Sequence, residues 1–173
     1  HAVAGGITVA NRGRIRANGP GSSSVALGLL DGTLGGTGSV GQVTVALGGR
    51  GRIEPGNSPG VLATGGLELN GLVTNVVELN GLAPGVGYDR LVVTGPVALG
   101  SARLQLLAGF VPPVGTTFVI IDNDGADPVD GTFLGAPEGA LIGATGGAYR
   151  ISYAGGTGND VTVTFLGSVF VPS

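Results

Sequence analysis

Apolar and polar or small positions alternate along this chain in short pieces: Ile7–Ala10, Thr33–Val40, Gln42–Leu47, Val61–Ala63 and Leu67–Leu69, each bounded by Gly, Asn or Pro. A two-residue period over so few positions predicts short strands with one face inward. The punctuation between them predicts sharp corners, because Gly and Asn tolerate the positive φ that tight turns need. No apolar run approaches the roughly 18 residues of a membrane-spanning helix, and no segment carries a helical period.

The pieces recur. Ile7-Thr8-Val9-Ala10 returns as Val43-Thr44-Val45-Ala46, and Gly13-Arg14-Ile15 as Gly51-Arg52-Ile53, at offsets of 36 and 38 residues, with Leu47-Gly48-Gly49 standing where the first copy has Asn11. A shorter echo sets Leu67–Leu72 against Val77–Leu82. Repeats of this length point to stacked architectures, and 36 to 38 residues then make two coils of about 18 or 19. The expected fold is all-β, a right-handed parallel β-helix. In "GRIEPGNSPG" (51–60) Ile53 is expected to point inward, Pro55 to fix a corner, and Gly56 and Asn57 to take positive φ. Ile15, Val43, Val45, Ile53, Leu67, Leu69 and Leu79 form the expected core.

Composition sharpens this picture. Thirty-seven glycines and 11% charged residues disfavour helices, since glycine costs about 1 kcal/mol per helical position relative to alanine. No aromatic residue precedes Tyr88, whereas Tyr88, Phe110, Phe118, Phe133, Tyr149, Tyr153, Phe165 and Phe170 follow. Narrow rungs have little room for rings, while a closing segment needs them. Residues 1–87 are therefore read as stacked coils and 88–173 as wider coils with an aromatic-rich cap, continuous with the first part. Tyr149–Tyr153 and Val161–Phe165 alternate across "AGGTGND", which predicts a terminal hairpin.

The phrases "GRIEPGNSPGVLATGGLELNG", "YDRLVVTGPVALGSARLQL", "GTTFVIIDNDGADPVDGTF", "PEG" and "ISYAGGTGNDVTVTF", in that order over roughly residues 33–166, resemble the C-terminal part of large exported bacterial proteins. These are autotransporter-passenger-like proteins with autotransporter-associated β-strand repeats. The resemblance implies a right-handed β-helix at the cell surface or beyond it, serving as stalk, adhesin or matrix component, and it implies no catalytic residues. The start at His1, without an initiator Met or a signal-like stretch, fits a processed chain.

Candidate chemistry is sparse. There is no Cys, so thiolate metal sites and disulfides are excluded, and all eight basic residues are Arg, so Schiff-base and Walker-type lysine chemistry are excluded too. His1 is the single histidine and cannot serve as an internal base. Asp122, Asp124, Asp127 and Asp130 in "DNDGADPVDG", with Asp160 in "GGTGND", are the candidates for an oxygen-liganded calcium ion, but the same residues suit an exposed turn and a hairpin loop. No cofactor is expected. The arginines are better organised: Arg12, Arg14 and Arg16 alternate on one strand face, and the 38-residue offset sets Arg50, Arg52 and Glu54 over them. Stacked coils would gather five arginines on one wall, a binding or assembly surface for a second copy or an anionic polysaccharide. Nucleic acid fits poorly, because no aromatics interleave and the net charge is −3.

The expected function is a non-enzymatic, exported building block that associates head to tail into a filament, sheath or surface matrix, or forms an adhesin stalk. Through residue 60 five arginines face two carboxylates, whereas residues 61–173 carry three arginines and nine carboxylates, so a rod would be electrically bipolar. The tail "GSVFVPS" (167–173), with Val169, Phe170 and Val171, could add as a strand to an unpaired edge of another copy. The alternative is a carbohydrate-active β-helix that binds or cleaves an acidic polysaccharide. A cleft with two carboxylates beside Arg14 or Arg52 would favour it, and a featureless wall would favour the building block.

Overall fold

A computed structural model of the chain describes residues 7–9, 13–21, 25–27 and 31–168. Among them the protein is all-β, without a helix, in three mostly parallel sheets. The chain visits the sheets in a fixed order. β1 (Ile7–Val9) enters the first sheet and β2 (Arg14–Arg16) the second; β3 (Val25–Leu27) and β4 (Gly32–Gly36) repeat that step. β5 (Val43–Val45), β6 (Gly51–Pro55) and β7 (Val61–Thr64) go to the first, second and third sheets in turn. The same cycle follows in β8 (Leu67–Glu68), β9 (Val73–Leu79) and β10 (Arg90–Val93), and again in β11 (Val97–Ala98), β12 (Arg103–Ala108) and β13 (Thr117–Asn123).

The registers explain the sequence repeat. Ile7 pairs with Val25 and Val25 with Val43, two steps of 18 residues, so the matching blocks at 7 and 43 lie two strands apart in one sheet. Arg14 pairs with Thr33 and Thr33 with Arg52, two steps of 19. The steps then lengthen: 24 from Val43 to Leu67, and 29 or 30 from Thr74 to Arg103, Leu67 to Val97 and Leu91 to Ile121.

In-register pairing makes inward side chains line up in columns. Val25, Val43, Leu67 and Val97 form one, Leu62, Leu91 and Ile121 a second, and Leu34 and Ile53 the centre of a third; all are at most 1% exposed. Each fully buried Val, Leu or Ile stabilises the fold by about 1.5–3 kcal/mol. Of the expected core, Val43, Ile53, Leu67, Leu69 and Leu79 are buried, while Ile15 and Val45 are half-buried and pack against it. The third column contains an exception. It runs Ile15, Leu34, Ile53, Asn75, Leu104, and the Asn75 amide is fully buried with neither its nitrogen nor its oxygen hydrogen-bonded.

Two local expectations need correction. Pro55 does not make the corner; it is buried at the end of β6. The positive φ values fall on Gly56 (84°) and Ser58 (83°), not on Asn57. At Gly56 a Cβ would run into the backbone of Gly60, because the chain doubles back on itself there. The corner is set by that close approach.

Beyond β13 the third sheet continues, while β11 and β12 are the outermost strands of the first and second sheets on that side. β14 (Leu141–Ala144), β15 (Gly147–Gly155) and β16 (Asp160–Gly167) continue the third sheet, and β16 adds to β13 in the antiparallel sense. The expected hairpin is β15–β16, with Tyr149 opposite Phe165 and Ile151 opposite Val163. Hairpin rings pack with those before them: Phe118 of β13 packs edge-on against Tyr88 at 5.1 Å and lies 6.3 Å from Tyr149, which packs tilted against Phe165 at 5.1 Å. The Tyr153 hydroxyl donates to Ala136 O at 2.6 Å and accepts from Phe133 N at 2.9 Å, fixing the preceding loop, and Asp130 bridges to the edge of β11. At the opposite end β1 and β2 are the outermost strands of their sheets among the described residues.

Candidate functional site

The outer face of the second sheet carries the most chemistry. Outward positions line up as Arg14, Thr33, Arg52, Thr74 and Arg103, and beside them Arg16, Gly35 and Glu54. A dent of about 260 Å³ lies on this face with Gly35 in its lining, where the absence of a Cβ lets β4 approach the Glu54 carbonyl closely. Val76 and Pro55 contribute to its lining, and Ser58, Glu78 and Asp89 stand at its far side.

Glu54 offsets part of the positive charge of the expected arginine wall. Glu54 accepts from Arg14 Nη2 at 2.6 Å and from Arg52 Nε at 2.8 Å, bridging strands two rungs apart. Arg52 also donates to Gln105 at 3.3 Å, and Arg16 to Asn57 Oδ1 at 2.5 Å. These groups are partly exposed, so each pair stabilises by at most about 1 kcal/mol. Glu54 offsets one of these positive charges, and the Asn57 and Gln105 partners are neutral. Arg50 lies exposed in the corner before β6 and does not line the dent, and Arg12 and Val169–Val171 lie outside the described residues.

Asp89, which the sequence did not single out, is the most constrained acid. The chain between β9 and β10 folds back on itself, with Asn80 N donating to Gly87 O and Asp89 N to Glu78 O. This brings the Asp89 carboxylate, 2% exposed, under the backbone N–H groups of Gly60 (2.7 Å) and Glu78 (2.9 Å). Glu78 in turn accepts from Ser58 Oγ at 2.6 Å. One side chain thus ties the corner before β7 to the end of β9.

Burial pushes the Asp89 pKa up from 3.8 to about 6; the two backbone hydrogen bonds oppose the shift, and the charges of Glu78 and Glu54 add to it. A carboxylic acid that protonates more readily folded than unfolded favours the folded state most below pH 3.8, and that contribution is lost as pH rises through about 6. Thermal midpoints measured from pH 3.5 to 7.5 should therefore show a downward component between about 4 and 6. Asp89→Asn should remove that component and lower the midpoint throughout, because an amide cannot accept both N–H groups. An unchanged pH profile in the variant would show that Asp89 does not titrate there.

The acidic turn is engaged internally. Asp122 pairs with Arg90 at 3.0 Å, and Asp160 accepts from Asn123 N and Thr157 N, both at 2.9 Å. Asp127 presents its carbonyl to Asn123 and Asn159, so the turn after β13 is stitched to the β15–β16 loop. Asp124 is exposed in that turn and Asp130 follows it in the bridge to β11. Among the described residues no three acidic or histidine side chains converge as metal ligands.

Compared with protein-family models, curated proteins and solved structures, the chain matches none. Its own geometry therefore carries the functional argument. The wall is not featureless, since three carboxylates stand beside Arg14 and Arg52. Each of them, however, holds strands or corners together, as the pairs above describe. The place of Glu54 on this wall was legible: the same 38-residue offset that aligned the arginines set Glu54 on Arg16. Asp89 was not, because its role depends on a loop that folds back without any repeat to announce it.

Proposed function

We propose that this chain is a non-enzymatic structural segment of an exported surface protein, a right-handed parallel β-helix that serves as stalk or as filament building block. The observation that carries the reading is the difference between the two ends. At one, antiparallel strands extend the third sheet and Asp130 bridges to β11, with β12 left outermost in the second sheet, while the other presents β1 and β2 as outermost strands among the described residues. Strand edges of that kind invite pairing. Growth then uses the β1–β2 end as acceptor and the apolar tail Val169–Val171 of another copy as added strand, and the opposite charges of the two chain regions speed encounter. The carboxylates of the second sheet act as ties between rungs, which suits a scaffold.

Light scattering and negative-stain electron microscopy test this. At low salt and rising concentration the full chain should form elongated particles, and deletion of residues 169–173, which leaves β16 intact, should return it to monomer. A full chain that stays monomeric would sink the assembly reading. Polymers unaffected by the deletion would overturn the tail's role as the added strand.

A further inference from the structure

We propose that the dent over Gly35 on the second sheet is a binding site for a neutral glycan segment. Three properties of the site lead there. The dent is a space of about 260 Å³ among strands β2, β4, β6 and β9, with Gly35 in its floor and Arg14, Arg16, Arg52 and Glu54 around it. Three intervals of about 4.8 Å give it a length of roughly 14 Å across the strands, suited to a chain lying along the stack.

The charges select the ligand. Arg14, Arg16 and Arg52 contribute guanidinium donors, and Glu54 and Glu78 contribute carboxylate acceptors, in near balance around one space. A polyanion would compete with Glu54 for Arg14 and Arg52 and would meet the Glu78 carboxylate besides. A cation would meet three guanidinium groups. A sugar hydroxyl suits both kinds of partner at once: it donates to a carboxylate while accepting from a guanidinium N–H, and such charge-assisted bonds are the stronger kind. The Val76 and Leu107 side chains offer apolar surface for the C–H face of a ring.

The test is saturation-transfer nuclear magnetic resonance, which reports on the sugar and works for monomer and polymer alike, so its result is independent of assembly. Maltose, cellobiose and mannobiose are the neutral probes and digalacturonate the anionic one. At least one neutral disaccharide should receive saturation with half-saturation in the millimolar range, and digalacturonate should not. Glu54→Gln and Arg16→Gln should each weaken binding at least tenfold, while Arg103→Gln, on the same face but outside the dent, should leave it unchanged. Arg16 is exposed, so its variant keeps the test decisive if loss of the Glu54 bridges disturbs folding. No transfer to any neutral probe, a preference for digalacturonate, or equal weakening by Arg103→Gln would each overturn the proposal.

Discussion

Ile53→Asp should lower the thermal midpoint by about 10–15 °C. Ile53 is fully buried in β6, between Leu34 on one side and Asn75 on the other, and faces the core with no free polar group to receive a carboxylate except the Asn75 amide. The substitution removes the burial of a whole Ile side chain and places an ionisable group between two strands, a loss of at least about 4 kcal/mol. For a domain of this size each kcal/mol moves the midpoint by roughly 2–4 °C. Ile53→Val, which only trims one methylene, should cost about 1 kcal/mol and serves as the reference. Circular dichroism through thermal unfolding reads both. A midpoint for the Asp variant within a few degrees of the parent would show that the β4–β6–β9 register is wrong.

The second large effect runs the other way: Asn75→Val should raise the midpoint by about 4–8 °C. Both amide atoms of Asn75 are buried without partners in a column otherwise made of Ile15, Leu34, Ile53 and Leu104. An unsatisfied buried polar group costs about 1–3 kcal/mol, and removing the polar group also removes that cost. Valine is closer to asparagine in size than leucine is, and its branched side chain suits a strand, so it avoids most of the overpacking penalty. A fall in midpoint would mean that the amide is satisfied in solution and that the column needs it. Asn75 and Ile53 are direct neighbours, so the double variant should not be additive.

The sequence by itself determined the all-β class, the step of 18 or 19 residues and the terminal hairpin. Parallel pairing allows this, because each strand must set an apolar residue beside the one on the next strand and an outward residue beside an outward one, so the register is written as a repeat: Ile7, Val25 and Val43 in one row, Arg14, Thr33 and Arg52 in another. The hairpin was legible because its alternation is local to Tyr149–Tyr153 and Val161–Phe165. The tertiary structure alone decided where Asp89 goes, since burial under Gly60 and Glu78 depends on a loop that folds back across rungs rather than along the repeat. It also decided that Asn75 faces inward, in a column whose other members are apolar, and that Glu54 reaches two arginines on strands two rungs apart. Alternation along one strand states which face a residue takes; it does not state what the neighbouring rungs put beside it. Contacts between neighbouring strands therefore had to come from the register, and the dent over Gly35 had to come from how β2, β4, β6 and β9 lie side by side.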